Sequence, residues 1–268
     1  MTSTPRNNRT AWLQGPSARC QDIGESQNPW RLVLLGAPGV GKGTQAELLH
    51  QRLKACHLST GDVFRAAGKA QECAQTAAMK EALGYMRRGE LVPDSTVWEM
   101  VRERSECLRC RGGFILDGFP RTLGQAELLT GLMQEEGLTL SAVINYALPT
   151  SEIVARISGR RTCDKCKLVY HIKERPPQVE GCCDRCGGTL FQREDDRLES
   201  IKVRLEAYDR STAPLISFYE KTGLLIQISA IGTPTEIFEK TLKKLEARTP
   251  EPASSSSTSC VANSCKVR

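Results

Sequence analysis

Leu32-Val33-Leu34-Leu35-Gly36-Ala37-Pro38-Gly39-Val40-Gly41-Lys42-Gly43-Thr44 decides how the rest of this chain is read. Four consecutive apolar residues form a strand, a glycine-rich loop follows, and residues 45–55 continue as an amphipathic helix. That context turns the spacing G-x-x-x-x-G-K into an anion-binding loop. Glycines let successive backbone N–H groups converge on one anion. The helix N-terminus adds a partial positive charge and Lys42 a full one. The Ser or Thr usual directly after the lysine is replaced by Gly43, with Thr44 one position later. An ordinary glycine-rich turn would not bring strand, spacing and lysine together.

Outward from this loop, strand-like and helix-like segments alternate. Strands are expected at 32–35, 114–117, 142–146 and 224–228. Helices are expected at 43–55, from Asp94 as cap to about 106, and at 122–136, 151–157 and 234–245. Short, wholly apolar strands between helices imply an α/β fold, a parallel sheet with helices on both faces. Ligands then bind at the carboxyl ends of the strands, where the glycine loop and Asp117-Gly118 both fall. Two stretches break the rhythm, 59–92 and 158–195. Each is too long for a simple loop and reads as an inserted subdomain. The expected layout is a tail at 1–28, one domain at 29–247 with its core in 29–58, 93–157 and 196–247, and a low-complexity tail at 248–268. The first tail holds Arg6, Arg9 and Arg19 with no acid before Asp22, a pattern shared by transit peptides and by plain extensions.

Composition narrows the function. The chain has 268 residues, 40% hydrophobic and 25% charged, and its net charge is +6. No apolar run reaches the ~18 residues of a membrane span, so no membrane partner is expected. The arginines are scattered among glycines and carboxylates, which suits a polyphosphate better than DNA or RNA. The 12 cysteines are not spaced as a disulfide framework, and no secretory apolar segment opens the chain. Reduced thiols and a cytoplasmic location are expected, with an organelle as the alternative if the N-terminal tail is a transit peptide.

Cys163-x2-Cys166 and Cys183-x2-Cys186 stand sixteen residues apart. This is a zinc spacing: two tight turns each present two thiolates, and four thiolates close a tetrahedron around Zn²⁺. Such a site has no open position for water, so its role is structural. Cys182 would lengthen the second pair, which makes Cys183 the better ligand. Cys107 and Cys110 have no matching pair, and Cys56 and Cys73 fall in apparent core or helical segments.

Several arginines follow the motif regions: Arg65 after Thr60-Gly61-Asp62, Arg121 in Asp117-Gly118-Phe119-Pro120-Arg121, Arg160-Arg161 before the cysteines, and Arg193 before Asp195-Asp196. On the next helix Leu198, Ile201, Leu205 and Tyr208 form an apolar stripe, leaving Arg197 and Arg204 free to face a cleft. Phosphoryl transfer between two nucleotides needs several cations around the charge that develops on the transferring group.

These motifs together resemble the adenylate kinase family, of the long type with a zinc-bearing lid. The resemblance runs over about 31–247. It rests on Gly-Ala-Pro-Gly-x-Gly-Lys-Gly-Thr at 36–44, Ser-Thr-Gly-Asp at 59–62, Gly-Glu-Leu-Val at 89–92, Leu-Asp-Gly-Phe-Pro-Arg-Thr at 116–122, Gly-Arg-Arg at 159–161 and Gln-Arg-x-Asp-Asp at 192–196. Lys-Gly-Thr is this family's own form of the loop. The resemblance implies the P-loop nucleoside-monophosphate kinase fold, with an AMP-binding insert at 59–92 and a zinc lid at 158–195.

The resemblance also implies the reaction MgATP + AMP ⇌ 2 ADP, which serves adenine-nucleotide balance, and a monomer that binds ATP, AMP and ADP. Gly39, Val40, Gly41, Lys42, Gly43 and Thr44 would hold the ATP phosphates. Arg160 and the backbone of Val169 and Tyr170 would cover ATP, with Pro234 beside its adenine. Thr60, Arg65, Glu90, Leu91, Val92, Gly118, Phe119, Pro120, Arg121 and Gln125 would hold AMP. Arg193 and Arg204 would bridge towards the transferring group, and Lys42, Arg121, Arg160, Arg193 and Arg204 form the implied catalytic set. Asp117 would orient Mg²⁺ through water, and Cys163, Cys166, Cys183 and Cys186 would bind Zn²⁺. The stretch between Arg65 and Gly89 is longer than the family's usual one, and His171 to Pro177 departs from its lid pattern. Two other readings compete: a kinase for UMP/CMP or GMP, and a zinc-ribbon nucleic-acid binder. The second would need basic and aromatic residues clustered around the cysteines, where Asp164, Glu174, Glu180 and Asp184 stand instead.

Overall fold

The computed structural model describes residue 12, residues 29–67 and residues 77–248. Its strands are β1 (Trp30–Gly36), β2 (Cys56–Ser59), β3 (Gly113–Asp117), β4 (Ala142–Ala147), β5 (Arg160–Cys163), β6 (Val169–His171), β7 (Leu190–Phe191) and β8 (Leu225–Ser229). Five of them form a parallel sheet in the order β2-β3-β1-β4-β8. The other three form a separate antiparallel sheet, β6-β5-β7.

The apolar runs follow from burial on both faces. Val33, Leu35, Phe114, Leu116 and Val143 point into one core, while Leu32, Leu34, Ile115, Ile144 and Tyr146 point into the other. A strand covered on both sides needs apolar residues at every position. Edge strand β8 alternates instead, with Ile226 and Ile228 buried and Gln227 and Ser229 exposed.

The described helices are α1 (Lys42–Leu53), α2 (Thr60–Ala67), α3 (Ala77–Arg88), α4 (Asp94–Arg102), α5 (Leu123–Glu135), α6 (Thr150–Ser158), α7 (Leu198–Ala207), α8 (Pro214–Lys221) and α9 (Pro234–Glu246). Helix α9 starts on a capping box between Thr233 and Glu236, with Pro234 in the first turn. No helix among the described residues is long and apolar enough to cross a membrane.

Several expectations need correction. Asp94 does not cap its helix. Its carboxylate accepts from Thr122 Oγ1 at 2.7 Å and Gln125 Nε2 at 2.6 Å, so tertiary partners have outcompeted the local cap. That helix also stops at Arg102, and a 3₁₀ turn, Ser105–Arg109, follows. Leu198 is 64% exposed and does not join the stripe continued by Ile201, and Arg197 on the same turn is exposed. Arg248, placed at the start of a tail, donates to Leu224 O at 3.0 Å and Leu225 O at 3.1 Å and so belongs to the folded domain. Trp12, placed within the first tail, is 1% exposed. Cys73, the rest of the first tail and residues 249–268 lie outside the described residues, as do residues 68–76 of the lengthened insert.

Candidate active site

The glycine loop needs its glycines for different reasons. Gly36, Gly39 and Gly41 adopt φ of 135°, 80° and 103°, a region that side chains disfavour. At Gly39 a Cβ would also overlap the Ile157 side chain on α6, so the loop packs against that helix through bare backbone. Lys42 opens α1, and its Nζ donates to Gly36 O at 2.5 Å and Ala37 O at 2.9 Å. The ammonium is thereby held over the loop. Burial pushes its pKa down to about 7, with Arg121, Arg204 and Arg160 pushing the same way and Asp117 opposing.

One cleft of about 680 Å³ runs from this loop across the ends of β1, β2 and β3 to the three-stranded sheet. Of the residues expected to act, residues 39–44, Arg65, Leu91, Asp117, Gly118, Pro120, Arg121, Arg160, Val169, Tyr170, Arg193, Arg204 and Pro234 line it. Six cations thus converge from separate places in the sequence: Lys42, Arg65, Arg121, Arg160, Arg193 and Arg204. Arg121 Nε donates to Gly118 O at 2.9 Å. Its side chain is open to the cleft, yet the protein walls around it, together with Arg204 and Arg65, lower its pKa to about 10. Arg193 Nε donates to Thr162 Oγ1 at 2.9 Å, and burial with Arg65 and Arg160 lowers it to about 9. Arg204 is lowered chiefly by burial, although Asp195 and Asp196 oppose the shift. Burial comes first in all four shifts, and neighbouring arginines add to it. Arg65 goes the other way, raised because Asp62 and Asp195 outweigh its burial.

Carboxylates hold the cluster in place. Asp196, 1% exposed, takes Arg160 in a two-pronged contact, Nε at 2.8 Å and one Nη on the other oxygen, and also accepts from Arg204 at 3.2 Å. Asp195 reaches Arg204 at 3.1 Å, and Asp62 holds Arg65 at 2.7 Å. Burial would raise Asp195, but Arg204, Arg65 and Arg160 keep it below the usual carboxylate range. Asp117 is held low in the same sense: His57, 3.4 Å away, and Lys42 outweigh its burial. A Cβ at Gly43 would stand 3.5 Å from Asp117 Oδ2, so this anion faces the start of α1 beside the glycine loop.

Five residues expected to hold AMP lie outside the cleft lining. Thr60 Oγ1 donates to Gly118 O at 2.9 Å. Phe119 is fully buried in the core, and Val92 packs against that core. Glu90 pairs with Arg88 at 2.7 Å on the surface. Gln125, 2% exposed, gives Nε2 to Asp94 at 2.6 Å and takes Arg121 N on Oε1 at 2.8 Å. Those two partners fix which end of its amide is which.

Sequence reasoning had quoted Asp62, Asp195 and Asp196 without giving them a role. Their signal was proximity: each stands within three residues of a motif arginine. It missed His57 and Gln45. Gln45 lines the cleft and donates to Pro234 O at 2.9 Å, tying α1 to the start of α9. Arg156, Arg175 and Arg185 also line the cleft, and nothing in their spacing marks them.

The four cysteines come together. Sγ of Cys163 and Cys186 are 3.5 Å apart, as are those of Cys166 and Cys183, and all four lie within 4.8 Å of one another. A tetrahedron with Zn–S of ~2.3 Å has edges of about 3.8 Å, so the donor set and its size fit zinc. Cys182 is not in the group. Tyr170 is buried against it: its hydroxyl accepts from Asp184 N at 2.9 Å and lies 3.4 Å from Cys183 Sγ.

The model of the family described as adenylate kinase matches residues 34–224. The adenylate kinase of Carboxydothermus hydrogenoformans is 49% identical over 208 residues, which is 78% of this chain and 95% of that protein. That of Thermodesulfovibrio yellowstonii is 47% identical over 218 residues, 81% of this chain and 100% of the relative. That of Streptomyces griseus is 44% identical over 218 residues, 81% and 98% respectively.

Proposed function

The chain belongs to the adenylate kinase family, and on that premise we propose how its residues divide the reaction MgATP + AMP ⇌ 2 ADP between two nucleotide seats. The chain is a phosphotransferase with adenylate kinase function. The observation that carries the division of roles is that the six expected cations, from six separate stretches of sequence, all line one cleft.

ATP lies with its phosphates over residues 39–44, where loop N–H groups and Lys42 receive them, and its adenine beside Pro234. Val169, Tyr170 and Arg160, in the lid at 158–195, cover it. AMP lies on the insert at 59–92 and the turn at 118–121, with Arg65 and Arg121 on its phosphate. Between the two seats, Arg160, Arg193 and Arg204 surround the equatorial oxygens of the phosphoryl group in transit, where stabilisation of developing charge is worth most. Asp117 is ionised and faces the start of α1 beside the glycine loop, which suits holding the Mg²⁺ of MgATP through water. Gln125, buried outside the cleft lining, braces the backbone of Arg121 and so shapes the AMP seat from behind.

Cys163, Cys166, Cys183 and Cys186 would hold structural zinc, which joins the two lid turns when bound. Tyr170 then links that cluster to the lid backbone over ATP. The reading is of a cytoplasmic monomer: free thiols persist in a reducing compartment, and the cleft gathers the residues proposed for both nucleotides without calling on a second copy. It calls for no nucleic acid, because the cations gather in a cleft and are interleaved with Asp62, Asp195 and Asp196.

The test is a monophosphate panel with metal content measured on the same sample. AMP is expected to exceed UMP, CMP and GMP in kcat/KM by roughly 5- to 150-fold, the result of one buried polar group left unpaired at about 1–3 kcal/mol. One zinc per chain is expected. Equal values for AMP and UMP would overturn the adenine seat, and protein purified under reducing conditions without metal would overturn the zinc site.

A further inference from the structure

Trp12 lies well before residue 34, where the match to the family model begins, yet it is among the largest fully buried side chains of the protein. It sits in the core shared by Cys56, Leu58, Val63, Phe64 and Phe119. Its indole N–H donates to Ser59 O at 3.0 Å. Its own carbonyl accepts from Arg104 Nε at 2.9 Å. Arg104, 9% exposed, is fixed in turn by Met100 O and Glu103 Oε2, both at 3.1 Å. A single residue outside the matched domain is therefore bonded at both ends, to the region after α4 and to the end of β2.

Ser59 is the last residue of β2, and Thr60 is the first of α2. The Ser59 hydroxyl accepts from Asp62 N at 3.3 Å, so both oxygens of this residue hold the root of the helix. That helix carries Arg65, gripped by Asp62 and lining the cleft. An indole N–H is donor only, and in a core it needs one well-placed acceptor. Here that acceptor is the carbonyl on which α2 turns away from the sheet.

We propose that Trp12 is a positioning residue for the acceptor seat: its bond to Ser59 O fixes the root of α2 and thereby the place of Arg65. The proposal rests on the assignment of α2 to AMP. Among the described residues, Trp12 bonds to Ser59 and Arg104 and to no group of the glycine loop or the lid, so the effect falls on one substrate.

Trp12→Phe in the full chain keeps an aromatic ring and the backbone bond to Arg104 while removing the N–H. KM for AMP is expected to rise about 3- to 10-fold, the range that one neutral hydrogen bond's net contribution corresponds to, while KM for ATP and kcat stay within about two-fold. An unchanged KM for AMP, or equal changes for both substrates, would overturn the proposal. Arg65→Ala measured alongside separates the two layers. If it raises KM for AMP selectively and Trp12→Phe does not, the role of Trp12 falls and the acceptor seat stands. If it acts on ATP instead, the seat assignment falls and takes the proposal with it. A second readout uses Trp30→Phe/Trp98→Phe, which leaves Trp12 the only one of the chain's 3 tryptophans. Its emission is expected to be that of a buried indole and to respond to AMP and not to ATP; no response to AMP would also overturn the proposal.

Discussion

Arg121→Ala and Arg204→Ala each lower kcat by about 10³, the lower end of what a phosphoryl-clamping arginine supplies. Both line the cleft. Arg204 lowers the pKa of Arg121, a sign that the two cations repel. Asp117 and Asp195 offset that repulsion in part, and negative charge placed between the two arginines relieves it further. The transition state for phosphoryl transfer brings such charge, spread over three equatorial oxygens. Removing either arginine should therefore weaken the transition state more than the bound substrates, and the loss should appear in kcat more than in KM. The double variant should lose less than the product of the two single losses, since both serve the same oxygens. Lys243→Ala, on the exposed face of α9, is the control and leaves kcat unchanged. Steady-state kinetics on purified proteins check this, and losses below about ten-fold would remove both residues from the phosphoryl path.

Lys42→Met reduces turnover by about 10²–10³, the usual effect of losing one charge-stabilising donor, while the protein stays folded. The variant loses the two bonds from Lys42 Nζ to the loop, but the loop stays anchored by buried Ala37 and Val40 and by its glycine conformations. Lys42 also sets a pH dependence. Its pKa of about 7 reflects burial first and the neighbouring arginines second. A polyphosphate beside the ammonium raises that value again. ATP binding therefore takes up a proton at pH above about 7, and affinity for ATP falls as pH rises through that point. The Met variant should bind ATP weakly and without that slope. Titration calorimetry in two buffers of different ionisation enthalpy reads the proton directly; a wild-type slope in Lys42→Met would assign it elsewhere.

The fold was legible wherever one local signal sufficed. The strands at β1, β3 and β4 are continuous apolar runs because helices cover both faces, and the glycine loop identifies its own neighbours. Strand β2 was not legible, because Cys56-His57-Leu58-Ser59 is four residues long and two of them are polar. Ser59 turns at once into α2, and His57 faces Asp117. Asp94 misled because the same side chain that favours a helix cap locally found Thr122 and Gln125 through the tertiary fold. Leu198 misled because an apolar period was extended one turn past the helix's buried face. In the site, the motif arginines stood out by their neighbours in sequence. The carboxylates that hold them, Asp62 and Asp195-Asp196, were visible but had no role until the cleft showed which charges meet. Trp12 was hidden in a polar context; a tryptophan in a stretch without apolar period was its only signal.

The central claim is that this cleft passes a phosphoryl group from ATP to AMP and keeps water out. During transfer the bond from the γ-phosphorus to its bridging oxygen breaks, and a bond to an oxygen of the AMP phosphate forms. The most direct measurement follows γ-labelled ATP with and without AMP. With AMP, label should move into ADP, two ADP should form for each AMP consumed, and free phosphate should stay at trace level. Without AMP, ATP should persist. Release of free phosphate at the same rate in both samples would contradict the account.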